Sequence, residues 1–185
     1  MNDYGVVTDP TTLRLERLLP GPIERVWSYL TDPEKRGKWL ASGPMELRVG
    51  GRVEHTFDNS HLTNVHEPTP EKYKQYERVT FIGRVTRFEP PHVLSYTWAE
   101  SWGSDSEVTF ELTPRGDQVF LALTHRRLVD RAAMVNVAGG WHTHLGILAD
   151  LLNGRDSPGF WSTHAKLEAE YEKRIPSAGH GRAGG

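Results

Sequence analysis

Apolar and polar residues alternate over several short stretches of the chain, which is the pattern of half-buried β-strands. The predicted strands are residues 12–19, 45–49, 52–57, 79–88, 93–98, 106–112 and 119–125. Turn residues such as Gly50-Gly51 and Arg115-Gly116-Asp117 separate several of them. Because no long helical pattern interrupts the series after residue 45, we expect these strands to pair antiparallel.

A different period occupies the stretch VWSYLTDPEKRGKWL, residues 26–40. Apolar residues from Ile23 to Leu30 lie on one face of a short helix, and Thr31-Asp32-Pro33 interrupts it. Asp32 is placed to cap a second short helix that begins at Pro33. We call residues 23–40 the elbow, and expect Trp27 and Trp39 on its buried side and Lys35, Arg36 and Lys38 in solvent.

The last third of the chain predicts two helices, residues 131–153 and 160–174. The first carries a buried stripe at Trp141, Leu145, Leu148 and Leu152 and ends at Asn153-Gly154. The apolar face of the sheet must be covered, and this long helix is the available cover. The pattern therefore predicts an α+β fold: a curved antiparallel sheet of about seven strands around a long C-terminal helix, with two short helices after the first strand.

Length predicts one domain, which we place at residues 12–175 after a polar lead-in of residues 1–11. The last residues, SAGHGRAGG, are of low complexity, and we expect residues 176–185 to be a disordered tail. The segment 58–78 is polar and too long for a tight turn, so it is predicted to be a loop with one helical turn at 71–76.

Composition narrows the classes of function. The 185 residues contain no cysteine, which excludes disulfides, thiolate catalysis and cysteine-bound zinc. A net charge of -2 gives no electrostatic basis for nucleic-acid binding. No apolar run has the length of a membrane span and no signal peptide is recognised, so we expect a cytoplasmic location.

A sheet that curves around one helix leaves a gap, and we predict a ligand cavity there, roofed by the elbow and by segment 58–78. Inward positions of the strands and the helix supply mainly aromatic side chains. The predicted ligand-binding residues are His55, Phe57, Tyr96, Trp98, Phe110, Leu123, His125, Trp141, Leu145 and Trp39.

His55 and His125 are the polar positions of this set. They either orient a polar group of the ligand or are core histidines satisfied by backbone or water, and both interpretations stay open. His142 and His144 point to opposite sides of one helix and cannot chelate one metal ion. Glu16, Glu54, Glu107 and Glu111 fall on outward strand faces. We therefore assign no catalytic residue, no metal site and no cofactor.

The stretches VWSYLTDPEKRGKWL, GGRVEHTF, GRVTRFEPPHVLSYTW, LTHRRL and GGWHTHLGILADLLNG together resemble the heat-shock protein 90 ATPase activator homologue family. That family belongs to the START-like (SRPBCC, Bet v 1-like) superfamily. The resemblance runs from about Leu13 to Arg174 and implies a helix-grip fold with a hydrophobic cavity under the long C-terminal helix.

The resemblance does not imply one activity. The leading hypothesis is non-enzymatic binding of a small hydrophobic or amphipathic ligand, by a monomer or a homodimer. The first alternative is a chaperone partner with a role in the stress response, as the family name implies. The second is a cyclase- or hydrolase-like enzyme that uses His55 or His125 as a general acid or base.

Overall fold

The computed structural model describes residues 2–177, which form a seven-stranded sheet and four α-helices. The strands are β1 (Val6–Asp9), β2 (Thr12–Pro20), β3 (Arg52–Thr56), β4 (Thr80–Glu89), β5 (Val93–Thr97), β6 (Glu107–Arg115) and β7 (Gln118–Arg126). The helices are α1 (Ile23–Thr31), α2 (Pro33–Arg36), α3 (Arg131–Leu152) and α4 (Phe160–Arg174). This arrangement confirms the predicted α+β helix-grip fold.

All neighbouring strands are antiparallel, in the order β1-β2-β7-β6-β5-β4-β3. The register places Leu15 opposite Leu123 and Leu94 opposite Phe110, so apolar residues meet across the ladders. These side chains are almost fully buried. The alternation that predicted the strands is therefore the alternation between the core face and the outer face of the sheet.

The elbow has the predicted break between its two helices. The Asp32 carboxylate accepts hydrogen bonds from the backbone N–H groups of Glu34 and Lys35, both at 3.0 Å. These are donors that the start of α2 cannot satisfy within the helix. Pro33 occupies the first turn, where a missing N–H has no cost.

The long helix α3 packs on the inner face of the sheet, and the predicted stripe is buried. Trp141, Leu145, Leu148 and Leu152 are each at most 4% exposed. Helix α4 packs against α3 at Gly139, where an added Cβ would lie 3.6 Å from Cα of Glu168. No helix within residues 2–177 is long and apolar enough to cross a membrane.

Two elements differ from the prediction. Residues 45–49 form no strand, because the chain there folds into turns and only Met45 pairs with β3, in a single bridge to Val53. A second single bridge joins Ser42, before this segment, to Thr56. The seventh strand is instead β1, which lies within the predicted lead-in and pairs with the start of β2. Its two valines are too few to give a readable alternation.

The predicted loop at 58–78 is present and contains short 3-10 helices at Asn59–His61 and Glu71–Tyr76. Another 3-10 helix, Glu100–Trp102, follows β5 and was not predicted. Most of the predicted tail, residues 178–185, lies outside the described residues.

Candidate functional site

A cavity of about 360 Å³ opens between α3, α4, the ends of β3 to β5 and the segment 58–78. Its walls are mainly aromatic, with a few polar side chains among the rings. The aromatic lining residues are Phe57, Tyr73, Tyr76, Phe81, Trp98, Trp102, Trp141, Phe160 and Trp161. Such a concave, mostly apolar site with few polar groups is typical of small-molecule pockets.

Three of the predicted site residues line this cavity: Phe57, Trp98 and Trp141. Trp98 and Trp141 are neighbours, with ring centroids 4.9 Å apart. The other predicted residues are at most 2% exposed and lie in the core behind the walls: His55, Tyr96, Phe110, Leu123, His125, Leu145 and Trp39. The prediction located the inner face of the sheet correctly but did not separate cavity wall from core.

The two tryptophans of the elbow have different environments. Trp39 is fully buried, donates its Nε1–H to the Tyr29 carbonyl at 2.8 Å and lies edge-on to Phe110. Trp27 is only half-buried and packs against Phe88, with ring centroids 5.8 Å apart. Trp39 thus anchors the elbow to the core, and Leu40 is the elbow residue that reaches the cavity.

His125 lies in a hydrogen-bonded chain that fixes its tautomer. Indole Nε1–H can only donate, so Nδ1 of His125 accepts from Trp141 at 3.0 Å. The proton of the neutral ring is then on Nε2 and is donated to Oγ of Ser106 at 2.9 Å. Burial lowers the pKa of His125 to about 3. Both ring nitrogens are engaged, so His125 holds α3 to the sheet.

The histidines that line the cavity are His144 on α3 and His164 on α4. Nδ1 of His144 donates to the Trp39 carbonyl at 2.8 Å, which leaves Nε2 as an acceptor. Burial lowers the pKa of His144 to about 4, with a smaller contribution from the nearby His164 and against the opposing effect of the hydrogen bond to Trp39. Burial also lowers the pKa of His164, against the opposing effect of Glu168. Both rings are therefore neutral at pH 7.

The sequence prediction did not include His144 and His164 among the site residues, although their spacing from two tryptophans indicates their position. His144 follows Trp141 by three positions, and His164 follows Trp161 by three. Residues three apart share a helix face. Each histidine is therefore on the same face as an aromatic wall residue.

The roof of the cavity comes from segment 58–78, as predicted, and from α4, which was not. Tyr73 stacks on Trp161 with ring centroids 5.3 Å apart. Nε1–H of Trp161 donates to Ser60, and Glu67 accepts from the backbone N–H of Ser162 at the start of α4. The segment and α4 are thus joined into one cover.

The sequence prediction was wrong for Arg36, which is 0% exposed. The last side chain of α2 turns under the elbow instead of into solvent. Its Nε donates to the Ala41 carbonyl at 3.1 Å, and its Nη2 donates to the carbonyls of Glu54, at 3.0 Å, and Gly43. Its Nη1 is buried and has no hydrogen-bond partner within residues 2–177.

Near Arg36, His55 is 2% exposed, and its Nε2 also has no partner in the described part of the chain. Its pKa is lowered well below the ordinary value, first by burial and then by the charge of Arg36. The outward Glu107 also departs from expectation, since it is 9% exposed and pairs with Arg126. Residues 2–177 contain no group of three acidic or histidine side chains that could hold a metal ion.

Comparison with known proteins shows the family and the fold of the chain. Residues 20–153 match the family model described as Activator of Hsp90 ATPase homolog 1-like protein. The solution structure of the protein encoded by gene BPP1335 from Bordetella parapertussis is 47% identical, with a TM-score of 0.79, and the match covers 97% of this chain and 94% of that chain. No curated protein matches this chain.

Two more distant structures share the fold. The crystal structure of CalU16 from Micromonospora echinospora is 23% identical, with a TM-score of 0.66 over 90% of this chain and 89% of that chain. The solution structure of the Aha1 dimer from Colwellia psychrerythraea is 19% identical, with a TM-score of 0.58 over 76% of this chain and 95% of that chain.

Proposed function

The chain belongs to the family of Activator of Hsp90 ATPase homolog 1-like proteins, and within that family we propose that it binds a small apolar or amphipathic molecule without transforming it. The observation that carries the proposal is the open cavity of about 360 Å³ between α3, α4 and segment 58–78. Its volume suits a molecule of a few fused or linked rings, and its walls offer faces and edges of aromatic side chains for stacking.

The polar groups of the cavity support binding more than catalysis. His144 and His164 are neutral, and Nε2 of His144 is available to accept a hydrogen bond from a hydroxyl or amino group of the ligand. Asn59 and Asn136 add further polar groups to the lining. Such groups orient a ligand within an apolar site, and no carboxylate lies among the lining residues to act as a base.

Neither histidine that the enzyme hypothesis requires, His125 or His55, is placed to act as a general acid or base. A general acid or base needs a free nitrogen at the cavity and a pKa near the working pH. His125 has both nitrogens hydrogen-bonded, and its pKa is about 3. His55 lies behind Phe57 and Trp98 rather than on the cavity surface.

Titration with N-phenyl-1-naphthylamine, a neutral dye that brightens in apolar sites, tests the proposal. We expect saturable binding to the purified protein. Trp98→Ala removes a wall of the cavity, and we expect it to weaken binding by more than about 1 kcal/mol, roughly fivefold or more. The matched control is Trp27→Ala, because Trp27 packs against Phe88 outside the cavity. Absence of saturable binding would contradict the proposal.

A second candidate is regulation of a chaperone ATPase in the stress response, which the name of the family favours. It requires a cytoplasmic location, and the Aha1 dimer among the similar structures makes a homodimer its natural form. The test is the ATPase rate of the heat-shock protein 90 of the same host with and without this protein. A stimulation that survives Trp98→Ala supports this role, and an unchanged rate argues against it.

A further inference from the structure

Arg36 is a cation without a counterion. None of the ion pairs formed by residues 2–177 includes it, and its hydrogen bonds all go to backbone carbonyls. Tyr96 and then Asp32 act on its pKa against the effect of burial, and the Asp32 carboxylate is engaged at the start of α2. Arginine stays protonated in proteins, so a full positive charge lies inside the domain.

An isolated buried charge is costly, and proteins pair such charges or bind an opposite charge from outside. Nη1 of Arg36 offers N–H donors that no described residue uses. This orphaned donor is what an anion would occupy. A carboxylate forms charge-assisted hydrogen bonds with a guanidinium, and one of its oxygens can accept from Nη1.

Two further polar side chains, His55 and Tyr96, lie near enough to Arg36 for its charge to act on them. His55 has an unpartnered Nε2, and its ring centroid is 4.9 Å from that of Tyr96. The charge of Arg36 acts on both residues, lowering the pKa of His55 and opposing the rise that burial causes in the pKa of Tyr96. The Tyr96 hydroxyl and a neutral His55 protonated on Nε2 are each able to donate to an oxygen of a bound acid.

This cluster, Arg36, His55 and Tyr96, is separated from the cavity by one layer of rings. Phe57 and Trp98 line the cavity, and their ring centroids lie 6.2 and 5.4 Å from that of His55. His55 and Phe57 are two positions apart on the same side of the chain at the end of β3. His55 therefore lies directly behind the aromatic wall of the cavity, with Tyr96 and Arg36 in the core.

We propose that the ligand of the cavity is an acid, whose carboxylate binds the Arg36–His55–Tyr96 cluster while its apolar body lies among the aromatic walls. Entry of the carboxylate requires Phe57 and Trp98 to shift. The inference rests on the proposed binding function, since it names the chemical class of the ligand for that same cavity.

The decisive experiment compares 2-naphthoic acid with its methyl ester at pH 7.5, each displacing N-phenyl-1-naphthylamine from the purified full chain. The two competitors share the ring system and differ in the charge. We expect the ionised acid to bind at least about tenfold more tightly, as charge-assisted hydrogen bonds to arginine predict.

Variants of the cluster test whether the preference for the acid over the ester arises there. Arg36→Lys keeps the charge but loses the planar fork, and Tyr96→Phe removes one hydroxyl; each is expected to reduce the acid-to-ester ratio at least about threefold. Tyr171→Phe is the matched control, because its hydroxyl is bound by Gly5 and His142 away from the cluster. It is expected to leave the ratio unchanged.

The outcomes separate this inference from the function on which it rests. If the dye binds and the acid binds no more tightly than the ester, the cavity binds neutral molecules. The inference of an acidic ligand is then overturned, and the proposed binding function stands. If neither the dye nor either competitor binds, the proposed function fails and this inference fails with it. An acid preference that persists in both cluster variants places the carboxylate elsewhere and also overturns it. If Arg36→Lys does not fold, Tyr96→Phe and the wild-type ratio decide.

Discussion

Two buried polar regions lie under the same helix, and they differ in how completely their hydrogen bonds are made. Around His125, the indole of Trp141, the imidazole and the hydroxyls of Ser106 and Ser104 form a continuous chain. Around His55, the imidazole Nε2 and Nη1 of Arg36 have no partner within residues 2–177. Both histidines are at most 2% exposed, so burial alone does not distinguish them.

The difference indicates which region holds the fold and which is available for a ligand. A buried polar atom with its partner inside the chain contributes to one fixed structure, whereas an atom without a partner carries a desolvation cost that a ligand can relieve. By this criterion the chain at His125 is structural, and the cluster at Arg36 and His55 is the candidate for recognition.

Replacing each histidine with phenylalanine tests this comparison most strongly. His125→Phe leaves the buried Nε1–H of Trp141 without an acceptor and removes one of the two hydrogen bonds of the Ser106 hydroxyl. We therefore expect a loss of about 3 kcal/mol in the free energy of unfolding. His55→Phe strands no hydrogen bond and removes an unsatisfied nitrogen, so we expect a change within about 1 kcal/mol. Urea denaturation at pH 7.5 measures both. Equal losses would remove the distinction between the regions.

The dependence of stability on pH has a smaller expected effect and tests what the two regions share, a buried histidine that is held neutral. The pKa of His125 is about 3, lowered by burial from the ordinary value of 6.5. Between these values the unfolded chain binds more protons than the folded protein, so stability falls as the pH falls below 6.5. For His125 the loss reaches about 2 kcal/mol at pH 5 relative to pH 8.

The measurement is a series of urea denaturation curves of the wild type and of both phenylalanine variants between pH 8 and pH 5. The pKa of His55, like that of His125, is lowered well below 6.5, so both histidines are neutral in the folded protein. Each variant lacks one of them. We expect each variant to lose less stability on acidification than the wild type does. Parallel profiles for all three proteins would show that neither histidine is held neutral.

The fold was predictable because its strands and helices repeat a simple pattern, and that pattern depends only on which side of an element faces the core. The stripe of α3 at Trp141, Leu145 and Leu148 is an example. The pattern failed where an element is very short, as with β1, or where glycines turn the chain, as between residues 45 and 51.

The site was less predictable, because the destination of a polar side chain depends on distant parts of the chain. Arg36 resembles its exposed neighbours in the sequence, yet carbonyls at residues 41, 43 and 54 draw it inside. His144 and His164 come together only when α4 packs on α3. The inward position of His125 was correctly predicted, but its partner Trp141 lies on another element.

The smallest predicted effect on stability concerns the hydrogen bond between Trp141 and His125. Trp141→Phe keeps an aromatic ring on α3 and removes the Nε1–H that His125 accepts at 3.0 Å. The imidazole Nδ1 is then a buried acceptor without a donor, which we expect to reduce the free energy of unfolding by about 1.5 kcal/mol. In Trp102→Phe, the matched control, a half-exposed indole loses a 3.3 Å hydrogen bond to the Thr80 carbonyl, and we expect a loss of less than about 0.5 kcal/mol in the free energy of unfolding.

In the His125→Phe background the hydrogen bond between Trp141 and His125 is already absent, so Trp141→Phe should cost less stability there than in the wild type. A cost that stays the same in both backgrounds would mean that Trp141 acts through packing alone. Its hydrogen bond to His125 would then contribute nothing to the difference in stability between the two buried polar regions.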